Sequence, residues 1–165
     1  MFAAKTIDTT DKPAFYRDLA AQLKALLDGE RDSIANAANT SALIFQMVPD
    51  INWAGFYFMA SDEELVLGPF QGKPACVRIA VGQGVCGTAI DLEMSMLVKD
   101  VHDFAGHIAC DAASRSELVV LLRDNDGVFG VLDLDSPTPG RFDKADQAGI
   151  EQLAAIYVAA SSFEE

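Results

Sequence analysis

Apolar residues first recur along the chain at helical spacing. Phe15, Leu19, Leu23 and Leu26 follow Pro13, which suits a first helical turn, and Gly29 supplies a stop. A second helix is expected from about Glu30 to Val48, with Ile34, Ala38, Phe45 and Val48 on its apolar side and Pro49 ending it. The period then shortens. NWAGFYFMA at 52–60 and ELVLG at 64–68, separated by a polar SDE turn, predict a hairpin. CVRIAV at 76–81 alternates like a strand, GQGVCG opens a short helix from about Val85 to Asp91, and MLV at 96–98 is a brief strand. ELVVLL at 117–122 is an uninterrupted apolar run, as expected of a central strand covered on both faces, and DNDG turns it back into VFGVLDLD at 128–135. Asp143 can cap a terminal helix marked by Ile150, Leu153, Ala154 and Tyr157. Two helices, a meandering sheet with one crossover helix and a closing helix make an α+β, mostly antiparallel domain.

Length fits this outline. The 165 residues suffice for one domain spanning 1–165, with 1–12 expected as an N-terminal tail. Twelve Lys and Arg against 25 Asp and Glu leave a net charge of −13, which repels phosphate backbones and anionic membranes. Nucleic acid and membrane partners are therefore not expected. The N-terminal residues lack the apolar core of a signal peptide, and a cytoplasmic location is expected.

Three cysteines, Cys76, Cys86 and Cys110, are too few for a disulfide scaffold, and their spacing lacks the close pairs of structural zinc sites. Residues 99–114 follow neither period, yet they carry Cys110, His102 and His107. A loop this long inside one domain is usually functional. His102, His107, Cys110 and Asp111 fall within ten residues, but with no second ligand cluster elsewhere no metal is expected. Gly82, Gly84 and Gly87 match a dinucleotide-binding pattern without the repeated parallel βαβ units it needs. They read instead as a tight turn whose free amides, at a helix start, suit a carboxylate.

The acidic residues allow a sharper inference. Asp133 and Asp135 leave one face of their strand while Leu132 and Leu134 leave the other. If Asp124 faces Val128 across a three-residue loop with Gly127 left-handed, Glu117 falls opposite Asp135 and Val119 opposite Asp133. Three carboxylates then converge, and such a cluster holds a metal, keeps a proton or receives a cation such as an ammonium group. Trp53 and Tyr57, four apart on one strand, share a face and can supply aromatic walls. Acids, aromatics and a cysteine loop together suit a small zwitterion and sulfur chemistry.

NWAGFYF, LGPFQGKPACVRI, GVCGTA, HIACDAASRSE and GVLDLDSP followed by RFD, in this order, resemble the free methionine-(R)-sulfoxide reductases, which are stand-alone GAF-domain enzymes. The resemblance spans roughly residues 15 to 160. It implies a GAF fold, a central antiparallel sheet with a helical layer on one side and a loop-covered ligand pocket on the other. By the same resemblance Cys110 matches the attacking cysteine, Cys76 the resolving cysteine and Cys86 an alternative resolver. Glu117, Asp133 and Asp135 match the acidic ligand-binding set, and Trp53 matches the aromatic wall near the substrate methyl group. The 99–114 loop is then expected to close over the pocket. The implied partners are free methionine sulfoxide and, as external reductant, thioredoxin, with no bound cofactor and a homodimer as the assembly considered. The competing reading is a GAF domain that senses a small molecule or a redox signal without turnover.

Overall fold

A computed structural model describes residues 2–104 and 113–163. Helix α1 (Lys12–Leu26) begins with Pro13 in its first turn and buries Phe15, Tyr16, Leu19, Ala20 and Leu23. The preceding residues have no regular structure, yet Ala4 and Ile7 pack against the core. Helix α2 (Ser33–Met47) starts at Asp32, whose carboxylate accepts from the Ala35 amide. The strands are β1 (Trp53–Ser61), β2 (Glu64–Gly72), β3 (Arg78–Ala80), β4 (Met96–Val98), β5 (Ser116–Arg123) and β6 (Val128–Ser136). Helix α3 (Gly84–Asp91) links β3 to β4, and α4 (Lys144–Ala160) closes the chain. Asp143 caps α4 as expected, in a reciprocal capping box with Asp146.

The six strands form one sheet in the order β3-β2-β1-β6-β5-β4, antiparallel at every pairing. Side chains of β1, β5 and β6 alternate between two hydrophobic layers. Ala54, Phe56, Leu118, Val120, Leu122, Leu132 and Leu134 face α1, α2 and α4. Trp53, Tyr57, Val119 and Val131 face the other way, toward Val85, Cys86 and Ala89 of α3. The α+β class expected from the pattern and the helical layer on one side implied by the resemblance are therefore present. No helix among the described residues is long and apolar enough to cross a membrane.

Two expectations need correction. The buried side of α2 is Asn36, Ala37, Thr40, Ser41, Leu43 and Ile44, whereas Ile34 is 58% exposed and Phe45 38%; Ala38 also lies outside. The apolar pattern misleads because the helix turns polar residues inward, where the Asn36 amide nitrogen and the Ser41 hydroxyl find partners while Asn36 Oδ1 and Thr40 Oγ1 stay without one. The Asn36 amide donates to Ser161 Oγ at 3.2 Å, and Ser41 Oγ donates to the Pro69 carbonyl at 3.1 Å. The second difference is the length of β2, which runs on through Gly68 and Pro69 to Gly72 rather than stopping at residue 68. Gly55 pairs with Phe70 and Tyr57 with Leu67, so Gly68 and Pro69 together oppose Phe56 in a β-bulge. A bulge tolerates the missing proline N–H.

Candidate active site

Strands β5 and β6 carry the acids. Glu117 pairs with Asp135 and Val119 with Asp133, the register inferred from the sequence. The turn reaches that register differently, since Arg123 rather than Asp124 stands opposite Val128. The Asp124 carboxylate accepts from the Asp126 and Gly127 amides at 2.9 and 3.1 Å, which draws Asp124 into the turn. An irregularity after Leu122 then restores the pairing. On its other edge β6 pairs with β1, so that Asp135 lies opposite Trp53 and Asp133 opposite Gly55.

One pocket gathers Trp53, Tyr57, Cys86, Glu117, Asp133 and Asp135. Glu117 and Asp133 are only 6% and 5% exposed. Burial pushes the Glu117 carboxyl well above the usual carboxylate range, and the neighbouring Asp133 and Asp135 push it further. Asp133 is raised likewise, by burial and then by Asp135, against a lowering hydrogen bond from Cys86. Like charges in a dry site cannot all ionise, so the cluster holds a proton near neutrality. Asp133 Oδ1 is buried without a hydrogen-bond partner, an acceptor aimed into the pocket.

The aromatic wall is built by absent side chains. The Trp53 indole stacks on Phe70 at 5.3 Å and on Tyr57 at 5.9 Å. A Cβ on Gly55 would lie 2.6 Å from Trp53 Cη2, and one on Gly72 would lie 2.7 Å from Trp53 Cδ1, so both positions exclude any larger residue. Both aromatics also hold the segment after β2. Trp53 Nε1 donates to the Lys73 carbonyl at 3.1 Å and Tyr57 Oη to the Cys76 carbonyl at 2.9 Å. Sequence reasoning named Trp53 and Tyr57 but missed Phe70, which joins them only through the bulge in β2. It also missed Ser114 on the pocket rim, whose nearness to Glu117 in the sequence was the available signal.

Cys76 is half-buried and disulfide-bonded. Cys86 is a free thiol, 3% exposed and raised well above its usual value by burial, then by Asp133. Cys110 lies outside the described residues, as do His107 and Asp111 and the central part of the expected 99–114 loop. His102 sits exposed on a 3-10 turn at Val101–Asp103. The base of the loop is described. The Val101 amide donates to the Arg115 carbonyl at 2.8 Å, and the Arg115 guanidinium pairs with Asp100 at 2.7 Å. Among the described residues the group spaced for a metal ion is Cys86, Glu117 and Asp133, with one donor atom from each within 4.8 Å of the others. Gly82 and Gly84 take positive φ of 80° and 60°, as a tight turn into α3 requires, and α3 brings Gly84 and Val85 to the pocket edge.

A six-stranded antiparallel sheet, helices on one face and a buried polar pocket on the other define a small-molecule-binding α+β domain, and residues 36–160 match the GAF domain model. The chain is 54% identical over 145 residues to the free methionine-R-sulfoxide reductase of Escherichia coli, covering 88% of this chain and 87% of that protein. It is 42% identical over 153 residues to the enzyme of the same name from Saccharomyces cerevisiae, covering 88% and 85%. The X-ray structure of the Neisseria meningitidis free methionine-R-sulfoxide reductase in complex with its substrate superposes with a TM-score of 0.92 at 40% identity, covering 97% of this chain and 95% of that one. The chain belongs to the free methionine-R-sulfoxide reductase family of GAF-domain proteins.

Proposed function

We propose that this protein reduces free L-methionine-(R)-sulfoxide to L-methionine. The observation that carries the reading is the convergence of Glu117, Asp133 and Asp135 beside Trp53 in one pocket of a chain belonging to this family. The substrate ammonium group is the cation that such a cluster lacks, and a methionine within a polypeptide has no such group. The aromatic wall suits the methyl group of the sulfoxide end, and the amides at the start of α3 suit the substrate carboxylate.

In the proposed reaction the Cys110 thiolate attacks the sulfoxide sulfur while a carboxylic acid of the cluster protonates the oxygen. Methionine leaves and Cys110 is oxidised to the sulfenic acid. Cys76 then attacks the Cys110 sulfur, water departs and a disulfide forms, which a thioredoxin-like dithiol reduces. The bonded state of Cys76 supports its part in this sequence. No bound cofactor is needed, and a cytosolic setting supplies the dithiol.

Separated epimers of the free amino acid, assayed with a dithiol, test the activity. The R epimer should be consumed catalytically, the S epimer and oxidised peptides should not. Cys110→Ser should form no methionine even in a single turnover, while Cys76→Ser should release one equivalent and then slow. Binding without consumption of either epimer would favour the sensor reading.

A further inference from the structure

Cys86 is a buried nucleophilic group that the proposed chemistry does not use. Its sulfur, one Glu117 oxygen and one Asp133 oxygen lie within 4.8 Å of one another, and all three residues are buried. Each donor comes from a different element whose backbone is held in place. Glu117 stands on β5 and Asp133 on the paired β6, while Cys86 stands in the first turn of α3. Gly87 fixes that turn, because a Cβ there would collide with the Ala80 carbonyl oxygen at the end of β3. The Gly82 amide donates to the Gly87 carbonyl at 2.8 Å and locks it further. A separate observation points to a ligand. Asp133 is only 5% exposed, yet its Oδ1 has no hydrogen-bond partner, so an acceptor aimed into the pocket is left for something bound to complete.

The donor set selects the ion. Magnesium and calcium take six or more oxygens and have no use for sulfur, whereas zinc accepts a thiolate and carboxylates together and is content with four ligands. A tetrahedral zinc holds such atoms about 3.5 Å apart, so closing on it asks each side chain to move by no more than about 1 Å. Three protein donors leave the fourth position to water, and the ion takes the place of the thiol proton. We propose that Cys86, Glu117 and Asp133 form a zinc site, and that zinc held there excludes the free amino acid by taking the carboxylates its ammonium group needs. Ion binding stands on the geometry alone, while the competition rests on the proposed reductase activity. The close cysteine pairs that announce structural zinc are absent because these donors converge only through the fold.

A Cys76→Ser/Cys110→Ser protein keeps Cys86 as its only thiol. Cobalt(II), a coloured stand-in for zinc, should give it a near-ultraviolet thiolate charge-transfer band that saturates at one equivalent and is bleached by one equivalent of zinc. Cys86→Ala in this background should remove the band. Against a chromophoric chelator, Cys86→Ala and Glu117→Gln should each weaken zinc binding by more than about a hundredfold, since even losing an outer partner of a ligand costs about 10–100-fold. No band, or a zinc affinity that neither substitution moves, overturns the site. The competition is read in the natural chain, reduced and freed of small thiols, by single-turnover methionine formation in buffered zinc. Zinc at about ten times its dissociation constant should raise the half-saturating sulfoxide concentration about tenfold and leave the maximal rate unchanged. A lowered maximal rate at unchanged half-saturation would place the inhibition on other thiols and overturn the competition. A cobalt band in a protein that turns over neither epimer would discredit only the reductase reading.

Discussion

Asp133→Asn should stabilise the reduced, ligand-free protein at neutral pH while abolishing its turnover. Glu117 and Asp133 both bind a proton more tightly in the folded chain than their usual carboxylate values allow, first because burial desolvates the anion and then because other acids face them. An unfolded chain has shed these protons above about pH 4. Between that value and the raised folded values the native state holds more protons than the unfolded one, so stability falls as pH rises, by about 1.4 kcal/mol per pH unit for each proton retained. An amide at 133 does not titrate, and it relieves Glu117 of a like-charged neighbour. Its NH2 faces carboxylates. The variant should therefore gain about 1–3 kcal/mol at pH 7.5 and nothing near pH 4, a rise in Tm of about 2–4 °C per kcal/mol for a chain of this size. Urea melts between pH 5 and 8, with both proteins kept reduced, measure the difference directly. A stability difference that stays constant across this range, or a variant less stable at pH 8, would refute the charge argument.

Tyr57→Phe frees the Cys76 carbonyl from its 2.9 Å hydrogen bond and should slow disulfide formation about tenfold, with the first equivalent of methionine released at the normal rate in rapid-quench assays. Asp143→Ala removes the α4 cap and should cost about 1 kcal/mol in denaturant melts at pH 7. Lys12, and then the Asp146 amide, hold the Asp143 carboxyl at about 2, so the contribution of Asp143 is complete above the unfolded value of about 3.9 and is lost as pH falls toward 2. Gly149→Ala would place a methyl 2.1 Å from Tyr16 Cγ, in a ring tied through its hydroxyl to Asp146 at 2.8 Å. The overpacking of about 1–3 kcal/mol should outweigh the gain in helix propensity of about 1 kcal/mol, and thermal melts should show net destabilisation.

The acidic register was legible because strand alternation leaves only two choices of face, although the DNDG turn pointed to the right one by a pairing that the folded turn reaches only through an irregularity after Leu122. Asp143 announced its helix for an equally local reason, a short side chain able to take the first free amides. The inward face of α2 was not legible, since Asn36 and Ser41 find partners on Ser161 and Pro69 that sequence distance conceals. Nor was the contribution of Phe70, because Gly68 and Pro69 read as a break where the folded chain makes a bulge and continues. The glycine slots around Trp53 depend on ring placement, which no spacing encodes.

Along β1, β5 and β6 every odd-numbered residue from Trp53 to Tyr57, Glu117 to Val119 and Val131 to Asp135 belongs to the pocket side, and the intervening even numbers from Ala54 to Phe56, Leu118 to Leu122 and Leu132 to Leu134 belong to the helical side. The three strands are thus read in one frame, and their contents can drift almost independently. Exchanging one aliphatic residue for another at even positions retunes stability, and changes at odd positions retune what is bound. A single residue inserted within β5 or β6 is a different event, a frameshift in space that would drive carboxylates into hydrocarbon. Strand β2 has absorbed one such insertion by bulging at Gly68 and Pro69, whereas β5 and β6 pair without interruption from Ser116–Ser136 to Leu122–Gly130. Length variation in this site should therefore be confined to its loops and to β2, leaving β5 and β6 fixed in length wherever the acids keep their task.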